Sequence, residues 1–479
     1  MLPKLIHHSG RPLGHTLVRH GNRYVSGSSL RSPAALNDFG KHHVTKGLAR
    51  ISEGVMARGQ GSYVEYLDGK KLLDFTCGIG VTNLGHSHPK VSKAAADQCM
   101  SIVHVQCSIA FHEPYLRLIE KLLPAMPHPS LDSFFFWNSG SEAVEGAIKM
   151  ARILTGRQNI ITMQGAYHGR TFGAMAVTKS KTVYSDGVAP LMPGVFSIPY
   201  PFWHQHRLPP STPPSVLTEE CLYQLHLLLS QQTSPKDTAA IIVEPVLGEG
   251  GYVPAPKEFL EGLRAVCDQH GILLIVDEVQ SGFGRTGNWF FIEESGVKPD
   301  ILLMAKGLAN GFPLSGVVSR KELTDKLVPG SMGGTYAGNA VSCAAACAVA
   351  DTFQEENIMA NVEARSQQLF ASLNALKDDQ TLAQYILDVR GRGLMVAMEF
   401  ASSEAPGAAF DLATPKGLTV KKGIAGRVTK KCIEKGMLLL TTSVYEVVRF
   451  IPPLNISQED MKKGCEIFAE SLREVVRES

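Results

Sequence analysis

The sequence predicts an α/β protein whose main sheet is mostly parallel, together with a smaller α+β domain. Between about residues 131 and 320, short apolar runs recur between helix-like stretches. These runs are nearly continuous rather than alternating, which is typical of strands covered on both faces. After about residue 355 the pattern changes to a long helical stretch followed by LMVAMEF, MLLLTT and VVRFIPPL, which predict the smaller domain.

The N-terminal segment differs from the rest of the chain. It has no acidic residue before Asp38 but contains five basic residues and several serines. This composition predicts a mitochondrial transit segment over residues 1–37, and the alternative is a disordered basic tail on a cytoplasmic protein. The remaining predicted divisions are 38–90 for the N-terminal part of the small domain, 91–354 for the large domain and 355–479 for the C-terminal small domain.

Six strands are predicted for the large domain. They are FFFW (134–137), NIITM (159–163), AAIIVEPV (239–246), GILLIVDEV (271–279), ILLMAK (301–306) and SGVVSR (315–320). The Pro-rich stretch 201–217 is predicted to be a loop, and 401–418 a second one.

Composition narrows the function classes. The 479 residues are 44% hydrophobic and carry a net charge of +2, so nothing favours nucleic acid as a partner. Nine cysteines include no CxxC pair, which indicates reduced thiols rather than a metal site. The histidines of GHSHP are predicted to lie in a turn rather than to bind metal. No apolar run approaches the roughly 18 residues that a membrane span requires.

Lys306 is the first residue whose position indicates chemistry. It ends an apolar run, and the carboxyl end of a parallel strand faces the crevice where open α/β sheets bind ligands. A partly desolvated amine there can lose its proton and attack a carbonyl carbon. The alternative is a solvated lysine that simply ends a strand.

Asp277 directly follows another apolar run, so its carboxylate is expected at the same edge as Lys306. A buried carboxylate requires a cation or hydrogen-bond donors, and a protonated heteroaromatic nitrogen is one such partner. The alternative is an N-cap aspartate.

Three glycine-containing motifs add candidate ligand contacts. In NSGSEAVEGAIKMAR, Gly140 and Ser141 begin a predicted helix whose free N–H groups suit a phosphate, although a plain N-cap is the alternative. In GAYHGRT, the Tyr167 ring can stack on a planar group and Arg170 can bind a carboxylate; a turn with a surface arginine is the alternative. In GGTYAGNA, Thr335 lies in a loop suited to an anion.

These groups together match the needs of pyridoxal phosphate (PLP). That cofactor requires an amine for covalent attachment, an acid that keeps the pyridine nitrogen protonated, N–H groups for its phosphate and a ring face. The sequence therefore predicts PLP as the cofactor and no metal.

On the motifs DEVQSGFGRTG and AKGLANGFPLSG, the sequence resembles the class III (ω-amino acid) aminotransferases over about residues 45–475. EPVLGEGG (244–251) and TYAGNA make it most similar to the 4-aminobutyrate aminotransferases. The resemblance implies the fold type I architecture, with a mainly parallel seven-stranded sheet in the large domain. It also implies a homodimer whose active sites lie at the subunit interface.

The resemblance implies a role for each matching cofactor residue. Lys306 would carry the cofactor and later move a proton, and Asp277 would pair with the pyridine nitrogen. The other implied contacts are Gly140 and Ser141 at the phosphate, Tyr167 stacked on the ring with His168 beside it, Val279 and Gln280 at the ring and its 3-oxygen, and Thr335 reaching the phosphate from the neighbouring subunit.

Substrate contacts are implied in the same way. Arg170 would bind the carboxylate distal to the reacting amine, and Arg449 the α-carboxylate of glutamate or 2-oxoglutarate. Glu249 would pair with Arg449 while an ω-amino substrate is bound, and Glu244 would line the substrate site. Ile79 lies where the similar ornithine aminotransferases carry a tyrosine, so the missing hydroxyl argues against ornithine.

The expected reaction is PLP-dependent transamination of an ω-amino acid. The best donor is 4-aminobutyrate, which would give succinate semialdehyde while 2-oxoglutarate becomes glutamate. The alternatives are acetylornithine or another ω-amine as donor, racemisation or decarboxylation on the same scaffold, and a non-enzymatic binding protein.

Overall fold

The structure is a computed structural model that describes residues 32–402 and 423–478. These residues fall into two units, one ending at Val55 and the other beginning at Met56. The first unit contains a helix whose N-cap, Ser32, accepts a hydrogen bond from the backbone N–H of Ala35 at 3.1 Å. Most of the predicted transit segment (residues 1–31) and of the predicted loop 401–418 lies outside the described residues.

Helices and strands alternate through most of the second unit. The strands are β1 Met56–Gln60, β2 Tyr63–Tyr66, β3 Lys71–Asp74, β4 Ser133–Trp137, β5 Asn159–Met163, β6 Val195–Ile198, β7 Thr238–Val243, β8 Val246–Leu247, β9 Val253–Pro254, β10 Leu273–Asp277, β11 Ile301–Met304, β12 Ser315–Ser319, β13 Ile386–Arg392, β14 Met395–Phe400, β15 Met437–Leu438, β16 Leu440–Thr442 and β17 Val447–Phe450. The helices are α1 Pro33–His43 in the first unit, then α2 Cys77–Gly80, α3 Pro89–Ser101, α4 Glu113–Leu122, α5 Gly140–Thr155, α6 Phe172–Val177, α7 Trp203–His206, α8 Pro214–Gln231, α9 Lys257–His270, α10 Lys321–Thr324, α11 Ala340–Glu355, α12 Ile358–Asp378, α13 Ile424–Glu434 and α14 Gln458–Arg477.

The main sheet has seven strands in the order β4-β12-β11-β10-β7-β5-β6. Neighbours from β11 to β6 pair in parallel, whereas β12 pairs antiparallel with both β11 and β4. Six strands therefore run in one direction and β12 runs against them. This confirms the predicted mainly parallel, seven-stranded sheet.

Both faces of this sheet are covered, which explains the continuous apolar runs. Ile275 and Leu303 pack in one buried cluster with Ala147 of α5, while Val276 and Leu302 belong to the larger cluster on the opposite face. Alternate side chains of one strand thus enter two different apolar layers.

All six predicted strands are present, but the prediction omitted β6. This edge strand has four residues, three of them only partly buried, and follows Pro193 and Gly194. The prediction of a loop over 201–217 was wrong in part, because that stretch contains α7 and the beginning of α8. Trp203 is buried there and stacks on His204, so apolar packing outweighs the flanking prolines.

Two four-stranded sheets lie outside the main sheet, as the predicted α+β part requires. One has the order β13-β14-β17-β16 and is antiparallel. In the other, β1-β2-β3-β15, the strand β15 pairs in parallel with β3 and joins residues far apart in sequence. The predicted domain boundaries at 37/38, 90/91 and 354/355 remain a prediction, and α1 extends across the first of them.

Among the described helices, none combines the length and apolar character that crossing a membrane requires.

Candidate active site

Five strands of the main sheet end at one edge, and residues at or just beyond their ends line a single cavity of about 300 Å³. These strands are β4, β5, β7, β10 and β11, which all run in the same direction. Their contributions to the cavity are residues 138–141, residues 167–169, Glu244, Asp277 and Lys306. The candidate site is therefore where the sequence predicted it, at the carboxyl ends of the strands.

Lys306 lies two residues beyond β11 with a φ of +44°, in the left-handed region that side-chain-bearing residues rarely adopt. Burial lowers the pKa of its amine to about 8, even though the carboxylates of Asp277 and Glu244 act in the opposite direction. A sizeable fraction of the amine is therefore neutral near pH 8, and a neutral amine is a nucleophile.

Asp277 is buried at the end of β10 and is held through both carboxylate oxygens. Its Oδ2 lies 2.7 Å from Nδ1 of His168, and its Oδ1 accepts a hydrogen bond from the backbone N–H of Val279 at 3.0 Å. A carboxylate so fixed keeps lone pairs available for a further donor in the cavity.

The start of α5 has free N–H groups where the sequence predicts that a phosphate binds. The N-cap Ser139 accepts a hydrogen bond from Glu142 N at 3.3 Å, which leaves the N–H groups of Gly140 and Ser141 ahead of the first intrahelical bonds. A Cβ atom at Gly140 would lie 3.1 Å from Cγ1 of Val279, so glycine keeps this start of the helix open beside that side chain.

The loop after β5 is fixed by Glu244 from the neighbouring strand. The backbone N–H groups of Tyr167 and Gly248 donate to its two carboxylate oxygens at 2.8 and 3.0 Å. Burial raises the pKa of this carboxyl to about 7. Glu244 thus lines the cavity and its hydrogen bonds position Tyr167, while its contact with a substrate stays a prediction.

Arg449 of β17 forms an ion pair with Glu249, with 3.1 Å between Nη1 of the arginine and Oε2 of the glutamate. Both side chains are largely buried. Burial favours the protonated form of Glu249, but the charges of Arg449 and Lys181 outweigh this and lower its pKa. The charges of Arg449 and Glu249 also act on the pKa of Lys306, although neither residue is among those that line the cavity.

Arg170 is exposed at the rim of the same region. Its Nε donates a hydrogen bond to the Tyr167 hydroxyl at 3.2 Å, and its guanidinium lies 4.3 Å from the centre of the Tyr184 ring. The geometry leaves the guanidinium facing solvent and available to a carboxylate.

The remaining predicted residues divide into two groups. Val279 and Gln280 line the cavity, as does His168. Ile79 and Thr335 are exposed and are not among the cavity-lining residues of this chain. Ile79 adopts a φ of +68°, an uncommon conformation for a β-branched residue.

Lys181 and Tyr184 are residues that the sequence analysis missed. Both donate hydrogen bonds to Oε1 of Glu249. The amine of Lys181 lies 2.6 Å from that oxygen, and the hydroxyl of Tyr184 lies 3.0 Å from it. They belong to the polar stretch KSKTVYSDG, which has the composition of a surface loop, so no local pattern distinguishes them.

The cavity residues fit PLP. Lys306 offers an amine of lowered pKa, Asp277 offers a fixed carboxylate, and 139–141 offer N–H groups for a phosphate. Within the described residues, Nε2 of His168 and Oε1 of Gln280 are buried atoms with no hydrogen-bond partner in the protein. Such atoms usually require one, which a polar ligand in the cavity can supply. The described residues contain no cluster of three or more His, Cys, Asp or Glu side chains that could hold a metal ion.

Comparison with known proteins agrees with this geometry. Residues 48–472 match the family described as "Aminotransferase class-III". The chain is 38% identical to the 5-aminovalerate aminotransferase DavT of Pseudomonas putida over 433 residues, and 36% identical to the 4-aminobutyrate aminotransferase GabT of Escherichia coli over 433 residues. Each match covers 90% of this chain and 96% of the relative.

A solved structure of a transaminase from the marine bacterium Virgibacillus superposes with a TM-score of 0.83 at 27% identity, covering 93% of this chain and 99% of that one. This confirms the fold type I architecture that the resemblance implied. Class III aminotransferases use PLP and transfer an amino group from a donor to a keto acid. Because the family match extends over most of its length, the chain belongs to the class III aminotransferases.

Proposed function

We propose that this chain uses PLP to transfer the terminal amino group of 4-aminobutyrate to 2-oxoglutarate. The observation that carries the proposal is the largely buried Glu249–Arg449 ion pair, whose charges act on the pKa of Lys306. An arginine that is neutralised by a protein carboxylate suits a donor that has no α-carboxylate. The same arginine, once released, suits the α-carboxylate of glutamate or 2-oxoglutarate.

Lys306 and Asp277 perform the chemistry in this proposal. When bound, PLP supplies an electron sink for the carbon that loses a proton. The neutral Nζ of Lys306 takes the proton from the amine-bearing carbon of the donor and later returns it. Asp277, oriented by His168, would pair with the ring nitrogen of the cofactor and favour its protonated form. The N–H groups at Gly140 and Ser141 would hold the phosphate of the cofactor.

Two arginines would orient the substrates. Arg170 binds the carboxylate distal to the reacting amine. The Nε of Arg170 donates a hydrogen bond to the hydroxyl of Tyr167 at 3.2 Å, which orients the guanidinium. Arg449 is paired with Glu249 while 4-aminobutyrate reacts, because an unpaired buried cation is strongly unfavourable. The α-carboxylate of 2-oxoglutarate then replaces Glu249 on Arg449.

A second donor, 5-aminovalerate, is favoured by the 38% identity to the Pseudomonas putida enzyme. It has the same end groups as 4-aminobutyrate and one more methylene. A difference of one methylene changes specificity by roughly 10- to 200-fold. A direct comparison of the two donors therefore resolves them.

The test is a rapid-mixing experiment on the PLP-loaded protein without 2-oxoglutarate. Each donor (4-aminobutyrate, 5-aminovalerate and N-acetylornithine) is added separately while the visible absorbance of the bound cofactor is followed. Fastest conversion with 4-aminobutyrate supports the proposal, and fastest conversion with another ω-amine keeps the reaction but changes the substrate. If no donor converts the cofactor, the proposal fails. The Lys306→Ala variant serves as the control.

We also propose a homodimer in which Thr335 of each chain contributes to the neighbouring site. The exposed side chains of Met100, Ile109 and Phe111, between 76 and 89% exposed, provide an apolar surface for such an interface. Sedimentation over a range of concentrations tests it.

The basic, acid-free segment 1–37 supports a mitochondrial location, which fluorescent fusions with and without that segment would test.

A further inference from the structure

Glu249 contacts a different cation with each of its carboxylate oxygens. Its Oε1 accepts hydrogen bonds from the amine of Lys181 at 2.6 Å and from the hydroxyl of Tyr184 at 3.0 Å. Its Oε2 accepts a hydrogen bond from Nη1 of Arg449 at 3.1 Å and lies 3.4 Å from the hydroxyl of Thr442. One carboxylate therefore forms ion pairs with two positive charges, Lys181 and Arg449, which lie far apart in the sequence.

The second cation matters because of what the proposed function requires of Glu249. A substrate with an α-carboxylate must take Arg449 away from Glu249. The side chain of Glu249 is only 14% exposed, and a largely buried carboxylate that loses its counter-ion is strongly destabilised. Substrate binding would then be opposed by the carboxylate it displaces, unless another cation remains in contact.

Lys181 is placed to be that cation. Its amine lies closer to Glu249 than the guanidinium of Arg449 does, and it holds the oxygen that Arg449 does not contact. Tyr184 adds a neutral donor to the same oxygen, while its ring packs against Arg170. When Arg449 binds a substrate instead, Oε1 of Glu249 can keep its hydrogen bonds from Lys181 and Tyr184.

We infer that Lys181 is a positioning residue that retains Glu249 after Arg449 is released, and thereby sets the affinity of the site for substrates with two carboxylates. The inference rests on the proposed function. A monocarboxylate that contacts only Arg170 leaves the Glu249–Arg449 pair intact and does not depend on Lys181. A dicarboxylate that contacts both arginines separates this pair, and its binding therefore depends on Lys181.

Two unreactive compounds separate these cases in a calorimetric titration of the PLP-loaded protein. Glutarate has the two carboxylates of 2-oxoglutarate, and butyrate has the single carboxylate of 4-aminobutyrate. Lys181→Met should weaken glutarate binding by about tenfold, as expected for the loss of one charged hydrogen bond, and change butyrate binding by less than about twofold.

Three further variants complete the test. Lys181→Arg should restore most of the glutarate affinity. Lys179→Met removes the same charge from an exposed side chain two residues away and should leave glutarate affinity near that of the wild type. In a Glu249→Gln background there is no carboxylate left to retain, so adding Lys181→Met should have no further effect on glutarate.

Two results would overturn the inference: equal weakening of glutarate and butyrate, or an undiminished effect of Lys181→Met in the Glu249→Gln background. Either can occur while the wild type still transaminates ω-amino acids, in which case the proposed function stands. If the wild type transaminates none of them in the rapid-mixing experiment, the proposed function fails by a separate measurement.

Discussion

The Nδ1 atom of His168 lies 2.7 Å from Oδ2 of Asp277, and both side chains are buried. His168 comes from the loop after β5 and Asp277 from the end of β10. The hydrogen bond therefore fixes the orientation of the carboxylate from outside its own strand. With the backbone N–H of Val279 on the other oxygen, the carboxylate has little freedom to rotate.

Asp277→Asn should retain the shape of the site but remove its negative charge. A protonated ring nitrogen would lose its partner, so we expect kcat to fall by roughly a hundredfold or more, in line with the removal of other preorganised electrostatic groups. Steady-state assays at saturating PLP measure this. His168→Asn, which leaves the negative charge of Asp277 in place, should show a smaller fall in kcat. Full kcat in Asp277→Asn with the cofactor bound would contradict the assigned role.

Lys306 has a pKa of about 8, which makes cofactor loading depend on pH. Only the neutral amine attacks a carbonyl carbon, so the rate at which cofactor-free protein takes up PLP should rise between pH 6 and 8. Above that range the amine is mostly neutral, and the rate should level off. Stopped-flow absorbance measures this rate. Lys306→Ala should show no covalent uptake at any pH, and a wild-type rate that still rises steeply above pH 9 would contradict the lowered pKa.

Sequence patterns predicted the centre of the site because its residues follow strands. Asp277 and Lys306 each come after an uninterrupted apolar run, and parallel strands bring such ends to one edge. Gly140 and Ser141 were found because a helix begins directly after β4. These features are local, so the order of residues alone reveals them.

Other features depend on tertiary contacts that no local pattern encodes. Lys181 was missed because its partner Glu249 is 68 positions away and lies in another loop. The positive φ of Lys306 is likewise imposed by the surrounding fold, since lysine has no preference for that conformation. The edge strand β6 was missed because it has only four residues, three of them partly exposed, which carry too weak an apolar signal.

Arg449→Ala should impair the two half-reactions unequally. The 2-oxoglutarate half-reaction loses the cation for its α-carboxylate, and we expect its apparent second-order rate constant to fall by roughly a hundredfold, as for a lost charged hydrogen-bonding partner. The donor half-reaction needs Arg449 only as the partner of Glu249 and should fall less. Single-turnover absorbance measures each half separately. Equal losses in both would contradict the exchange of partners proposed for Arg449.

Glu278 gives a prediction about stability rather than catalysis. Its carboxyl is fully buried, accepts a hydrogen bond from Ile292 N at 2.8 Å and is also bonded to the hydroxyl of Ser281. Burial raises its pKa from 4.5 to about 7. Since the folded protein binds this proton more tightly than the unfolded chain, the contribution to stability is full below pH 4.5. It declines as the pH rises towards 7, and it is lost above that value.

Glu278→Gln removes this titration while keeping an acceptor for Ile292 N. The free energy of unfolding should therefore fall less between pH 5 and 8 in the variant than in the wild type. The difference between the two falls should reach up to about 3 kcal/mol. Urea unfolding of the cofactor-free protein at several pH values measures the difference, and Glu363→Gln at an exposed position of α12 is the matched control. If wild type and Glu278→Gln show the same pH dependence, Glu278 is already ionised in the folded protein at pH 5 and the raised pKa is wrong.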